Sequence, residues 1–466
     1  MTASSPDLGD RPQSLGVKIK AFIRDKILFG NEPTPELLAI LLVYLVQGVL
    51  GISRLAVSFF LKDDLGLTPA QTSALLGIAA LPWVIKPLFG FLSDGLPIFG
   101  YRRRPYLVLA GLLGTGCWLA MATVIHSAWA ATLAMTLNSL SVAVSDVIVD
   151  SIVVERARRE SIEKAGSLQS ISWGASAFGG LLTAYLSGFL LQQFSTQIVF
   201  GITAIFPLIV TLVAGLVTEA KVDHSSEWTV VQQQMRDLWK AVSRPAILLP
   251  TAFVFIWQAT PTAESAFFFF TTNELGFEPE FLGRVRLVTS VASLIGIWLF
   301  QRFFRSVPFR QIFAWTTILS ALLGMTALLL VTHANRAIGI DDYWFSLGDS
   351  LVLTVMGQIA FMPVLVLAAR LCPKGVEATL FALLMSVFNL AGMISHELGA
   401  GLTYIMGVTE TNFENLWLLV ILTNVTTLFP LLFIRWLPSG DINPDDIEEG
   451  YPIVESPEPV LEGHPN

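Results

Sequence analysis

Residues 36 to 436 fall into twelve runs of mostly apolar residues, each 20 to 27 long, separated by short polar segments. A helix that crosses a bilayer needs about 20 such residues. In order, the runs cover 36–61, 71–94, 105–125, 129–153, 167–191, 197–218, 246–271, 282–301, 311–332, 346–369, 378–404 and 414–436. Between Leu37 and Leu61 the only charge is Arg54. Lipid cannot satisfy an open backbone, so only helices and closed barrels span it. These runs are too long for barrel strands. The expected fold class is an all-α membrane protein with twelve transmembrane helices. Only 14% of residues are charged, against about 25% in soluble domains.

The remaining charges set an orientation. All but six of the 28 Lys and Arg lie before Pro33, in alternate loops such as 102–104, 156–164, 221–244 and 302–310, or at Arg435. Lys62 and Arg336 alone occupy the loops of the other side. An excess of this kind places both termini in the cytoplasm. The opening MTASSPDLGD lacks the basic-then-apolar pattern of a signal peptide. KIKAFIRDKILF (18–29) reads either as a short basic helix on the inner leaflet or as an ordinary charged lead-in. Cys117 lies in the third run and Cys372 in a cytoplasmic loop, so no disulfide is expected.

One short phrase is written twice. DLGLTP (Asp64–Pro69) follows the first run, and ELGFEP (Glu274–Pro279) follows the seventh, 210 residues later. RLAVSFF (54–60) and ESAFFFF (264–270) precede them at the same offset. Ala165 and Gly179 are echoed by Ala378 and Gly392 at the start of runs five and eleven. Two parallel six-helix repeats about an axis along the membrane normal explain the pattern. The expected organisation is a cytoplasmic segment 1–34, a bundle 35–218, a linker 219–245, a second pseudo-symmetric bundle 246–437, and a disordered acidic tail 438–466. In the phrase itself, Gly ends one helix and Thr or Glu before Pro opens the next.

Ionisable groups inside the runs point to function, because each costs about 2.5–3.5 kcal/mol on insertion scales and therefore faces a cavity. Lys86 sits deep in the second run, between Pro82 and Pro87, where a kink is expected. Asp94 lies two turns further on the same stripe. Asp146 and Asp150 stack four residues apart in the fourth run. Two stacked carboxylates repel, which makes them a candidate proton carrier; a structural ion pair with Lys86, Arg156 or Arg158 is the alternative. Arg54 and Glu264 occupy equivalent positions in the repeat. Facing each other, they would form an outer-gate pair, or Arg54 would receive an anionic substrate. Arg286 reaches either a cavity or the interface. Gln169, Trp173 and Gln258 stand with Gln47, Gln358 and Asn389 near cavity depth, and His396 and Glu397 are adjacent in the eleventh run.

Two cytoplasmic loops suggest an inner latch. SDGLPIFGYRRRP (93–105) brings Asp94 close to Arg102, Arg103 and Arg104, and the next inner loop adds Glu155 and Arg156. Arginines can hold a carboxylate or helix carbonyls across a bundle interface. Topology signalling alone is the bland alternative.

The wording IKPLFGFLSDGLPIFGYRRRPYL (85–107), DVIVDSIVVERAR (146–158) and AGSLQS (165–170) resembles the folate-biopterin transporter family of the major facilitator superfamily. Gly90, Asp94 and Arg102–Arg104 match the superfamily's loop motif, with an insertion. The resemblance implies a major facilitator fold and proton-linked transport of a small molecule, a folate, folic acid analogue or pterin. It also implies a multi-pass protein of a bacterial, cyanobacterial inner membrane. On that footing a carboxylate (Asp146, Asp150 or Glu264) would pair with the amino-pyrimidine edge of a pterin. A cation (Lys86, Arg54 or Arg286) would hold a glutamate tail. Trp83, Trp173, Trp257 and Phe267–Phe270 are candidate ring walls.

Other classes fit poorly. No GxxxxGK[ST] loop is present, which argues against ATP as the energy source. Five scattered His and two distant Cys give no ligand spacing, so no metal, cofactor or catalytic residue is expected. Neither is a nucleic-acid partner, and the chain is expected to act as a monomer. A facilitator carrying another small organic solute, or a non-transporting scaffold, is the alternative.

Overall fold

The computed structural model describes Leu28 and residues 31–157, 162–221, 236, 243–304, 306–371 and 377–438. The basic segment 18–29, most of the linker, Arg158, Cys372 and the acidic tail lie outside these residues. Among the described residues, eleven helices are long and apolar enough to cross a bilayer. Those before the linker are α1 (Pro35–Asp64), α2 (Pro69–Gly95), α3 (Arg104–Thr123) and α6 (Thr196–Leu216), with α4 (Ala128–Ala157) and α5 (Ile162–Gln193). After it come α7 (Pro245–Gln258) and α8 (Glu264–Phe269). They are followed by α9 (Pro279–Phe304) and α10 (Phe309–Val331), α11 (Asp342–Arg370) and α12 (Glu377–Ile405), and α13 (Leu416–Trp436).

The seventh run is not one helix. It breaks over residues 259–263 into α7 and α8. The cause is local: Pro261 brings no N–H and disfavours helix at the residue before it. The expected kink in the second run is also present. α2 is interrupted at Ala80 and Ile85, and Lys86 starts its last segment.

Both copies of the repeated phrase fold alike. A π-helical turn closes α1 at Phe60–Asp64, and its equivalent follows α8 at Phe270–Glu274. Gly66 and Gly276 then take φ of 62° and 69°, a region that costs glycine little. Pro69 and Pro279 open α2 and α9 in the first turn, where no N–H is needed. Thr68 caps α2 in a capping box with Gln71. Glu278 makes no such cap; its carboxylate meets Gln192 Nε2 of α5 at 3.5 Å.

Buried apolar side chains gather in four clusters, and no cluster mixes buried residues from the two sides of the linker. Phe60 and Phe200 meet edge-to-face in one, Phe253 and Phe313 in another. Such ring pairs add about 0.5–1.5 kcal/mol beyond area burial.

The two halves touch where α5 packs on α9 and α2 on α12. Near the repeated turns the backbones themselves meet: a Cβ on Gly188 would stand 2.2 Å from the Pro279 carbonyl oxygen and 2.7 Å from Gly283 Cα. The seam at this end is completed by Phe59 edge-on to Phe268, by Lys62 Nζ donating to Asn273 at 2.9 Å, and by Tyr185 donating to Glu280 at 3.1 Å. A side chain at Gly188 cannot fit without parting the halves. We therefore expect Gly188→Leu to raise labelling of a Glu264→Cys reporter by a bulky thiol reagent in purified protein. Unchanged labelling would show that the glycine contact does not hold the seam.

Candidate functional site

The break in α2 aims Lys86 at α4, which packs along it. There Lys86 Nζ ion-pairs with Asp146 and lies 3.3 Å from Asp150 Oδ2. Tyr44 of α1, itself buried, donates its hydroxyl to Asp150. Gln47, one turn further along α1, faces Asp146 with its Nε2 buried and outside hydrogen-bond geometry. One cation thus sits between two carboxylates. The carboxylates are not equivalent: the Asp146 side chain is 13% exposed and that of Asp150 42%. Asp150 is the open end of the cluster. Trp83 places its ring 5.8 Å from Lys86 Nζ, within cation–π range.

A second polar group lies on the facing helices. Arg286 of α9 donates to the Gly51 carbonyl of α1 at 3.3 Å, with Arg54 and Glu264 within electrostatic reach. Arg54 and Glu264 do not form the anticipated pair: neither has an ion-pair partner within 4.0 Å among the described residues. Equivalence in the repeat brings them to the same region, but Glu264 starts α8 just past the break, where its own N–H bonds Thr262. Among the described residues, the two guanidinium groups therefore stand without a carboxylate in ion-pair contact, though Glu264 is near Arg286.

Among the described residues, the arginine loop makes a set of contacts inside the first half. Arg103 pairs with Asp94 at 2.8 Å and donates to Ser93. Glu219, at the end of the sixth run, accepts from the backbone N–H groups of Arg102, Arg103 and Arg104. A carboxylate on the free N–H groups of a helix start is favourable. Arg104 Nε donates to the Val217 carbonyl at 2.5 Å. These contacts tie α2, α3 and α6 within the first half. Arg156 donates to Thr34 Oγ1 at 2.9 Å, joining α4 to the start of α1.

Other candidates separate. Trp173 is exposed. Phe269 and Phe270 are fully buried in their own half, and Phe268 belongs to the seam, so this stretch is core and gate rather than ring wall. Trp257 donates to Thr317 at 3.1 Å. Asn389 donates to the Trp83 carbonyl across the halves. His396 receives Ser73 on its carbonyl, and Glu397 lies against Gly77. Gln358 packs on Gly296. The side chains of Gln169 and Glu155 lie outside the described residues. Tyr44 and Glu219 were missed; a tyrosine deep in an apolar run needs a partner for its hydroxyl, which is a usable signal.

The model of the BT1 family matches residues 47–456. A relative from Synechocystis sp., described as a folate-biopterin transporter, is 60% identical over 456 residues, 96% of this chain and 92% of its own length. Probable folate-biopterin transporter 2 of Arabidopsis thaliana is 35% identical, covering 86% of this chain and 83% of itself. Folate transporter 2 of Plasmodium falciparum is 31% identical, over 87% and 88%. Among solved structures, the peptide transporter POT bound to alafosfalin superposes with a TM-score of 0.66 at 14% identity, over 90% of this chain and 99% of that one. The nucleoside transporter NupG gives 0.65 at 15%, over 86% and 98%. At such identity these structures speak for the fold alone, and that fold is the major facilitator type.

Removing Lys86 alone leaves two carboxylates facing each other. Truncating one partner of a buried pair costs about 3–5 kcal/mol, whereas replacing both by apolar groups is often near neutral. Lys86→Ala should therefore lower the melting temperature of the purified protein more than Lys86→Met combined with Asp146→Leu. Equal losses would mean that the pair is not desolvated.

Proposed function

This chain belongs to the BT1 family, and on that premise we propose that it carries folates and pterins across a membrane by alternating access, coupled to protons. The observation that supports the reading best is the Lys86–Asp146–Asp150–Tyr44 cluster, a set of charged and polar groups held inside the spans where lipid would exclude them.

In this reading α7 and α8 together make the twelfth crossing, both termini are cytoplasmic, and residues 35–218 and 246–437 are the two rocking bundles. The repeated-turn end is then the outer side. Its seam of Phe59, Phe268, Lys62, Asn273, Tyr185 and Glu280 is the outer gate, and the Asp94–Arg103 latch braces the inner end of the first bundle. The membrane is the bacterial inner membrane, as the similarity to the Synechocystis relative suggests. The working unit is the single chain.

The chemistry follows from charge exchange. An anionic tail entering between the halves meets Arg54 and Arg286, which among the described residues have no carboxylate in ion-pair contact. A proton on Asp150, the more open carboxylate, removes one of the two charges on Lys86, whose ammonium then stays with Asp146 until the substrate takes its place. An amino-pyrimidine edge offers paired donors to Asp146. When the proton leaves toward the cytoplasm, the carboxylates recapture Lys86 and the substrate is released. Only a group that binds differently in the two states can drive such a cycle.

Uptake of labelled folic acid into proteoliposomes, with and without an imposed inward proton gradient, tests this reading. The gradient should accelerate wild-type uptake. Lys86→Ala and Asp146→Asn should each slow it at least about tenfold, the equivalent of 1.4 kcal/mol. Wild-type rates in both variants would remove the cluster from the mechanism.

A further inference from the structure

The half that follows the linker contains a second hollow, of about 370 Å³, that the charged cluster does not touch. It opens where residues 259–263 leave the helix between α7 and α8. Non-helical backbone at membrane depth is tolerated only where it is buried in protein or lines a wet cavity. The equivalent stretch of the first half, around Leu50–Ile52, merely tightens into a 3-10 turn of Leu, Gly and Ile. The two halves therefore diverge here: one is closed and apolar, the other is unwound and polar.

All lining residues come from the second half. Thr260 and Thr262 lie on the unwound stretch, Thr317 and Ser320 on α10. Ser395 on α12 and Thr423, Asn424 and Thr427 on α13 complete the polar wall. Every lining residue is buried or half-buried, and none is ionisable. Ser395 pins the break, donating to the Thr260 carbonyl at 2.5 Å while its own carbonyl accepts from Thr262 N–H at 3.4 Å. Ser320 Oγ is buried without a partner. Two glycines make room for the two amides: a Cβ on Gly324 would stand 1.8 Å from Asn424 Oδ1, and one on Gly392 would touch Gln258.

We propose that this hollow is a second binding site, away from the charged centre, for an uncharged bicyclic heterocycle carrying adjacent amide and amino groups. A Gln side chain such as that of Gln258 pairs in bidentate fashion with such an edge, as Gln does with adenine, while Asn424, its Nδ2 donating to the Val420 carbonyl at 2.8 Å, lines the wall beside it. Ser320 offers a free hydroxyl, whereas Thr260, Ser395, Thr423 and Thr427 already donate to backbone carbonyls and are left to accept; Trp257, its N–H already held by Thr317, offers an indole wall. The volume lies at the low end of organic-ligand pockets, roughly 300–1,000 Å³, and suits two fused rings without a long tail. Anions are disfavoured, since nothing here compensates their desolvation. An occupant would brace the base of α8, which carries Glu264 and Phe268 to the seam.

Biopterin, an uncharged pteridine, is the probe; that choice rests on the transport reading above, whereas the site is argued from its lining. Binding is measured by equilibrium dialysis on the full chain in lipid nanodiscs. Wild type should bind. Ser320→Leu, which fills the hollow, should weaken binding at least about tenfold, the worth of one or two hydrogen bonds. Thr427→Val keeps the volume and, with an unchanged melting temperature, should still weaken it measurably. No wild-type binding, or wild-type binding in both hollow variants, would overturn the proposal. Folic acid uptake is followed in parallel: if it is absent while Ser320-dependent binding persists, the transport reading falls and the site stands.

Discussion

The ion pair between Lys86 and Asp146 is the constraint on which the rest of the molecule depends. A lysine and two carboxylates inside the spans cannot face acyl chains. They require a polar surrounding, and α1, α2 and α4 supply it by bringing Tyr44, Lys86, Asp146 and Asp150 together. The break in α2 exists at the residue before Lys86, so backbone and charge are arranged together. Tyr44 adds the one hydroxyl that fixes Asp150. Leaving Asp150 more open than Asp146 gives the cluster a direction, from sealed to accessible.

Around that centre the halves are alike in scaffold and different in chemistry. The scaffold repeats to the level of paired π-turns and positive-φ glycines. The chemistry does not repeat: cation and carboxylates lie in the first half, while the second offers a broken helix and a neutral polar hollow. Such division is physically sensible for a carrier. A symmetric frame rocks with little strain, and an asymmetric lining can recognise an asymmetric solute. Backbone contact at Gly188 and Gly283 lets the seam close tightly without side chains that would have to be repacked in each cycle.

Much of this was legible in the chain because its causes are local. A glycine at positive φ and a proline in a helix's first turn are written residue by residue, so the repeated phrase foretold both turns. Charges in apolar runs announce a cavity through their cost alone, which is why Lys86, Asp146 and Asp150 were found. The failures have other causes. Glu219 and the arginine loop come together over more than a hundred residues of chain, and no spacing encodes that contact. The break at 259–263 was hidden because an apolar-run criterion averages over Thr260-Pro261-Thr262, although Pro261 was the signal. Arg54 and Glu264 show that matching positions in a repeat share a region without sharing a bond.

The central claim is that substrate and proton bind together at one cluster of charges, each favouring the other. Calorimetric titration of folic acid into the purified protein, repeated in buffers of different ionisation enthalpy, counts the protons exchanged on binding. The account predicts a proton count that changes with pH in the wild type and vanishes in an Asp146→Asn, Asp150→Asn double variant. The same count in both proteins would contradict it.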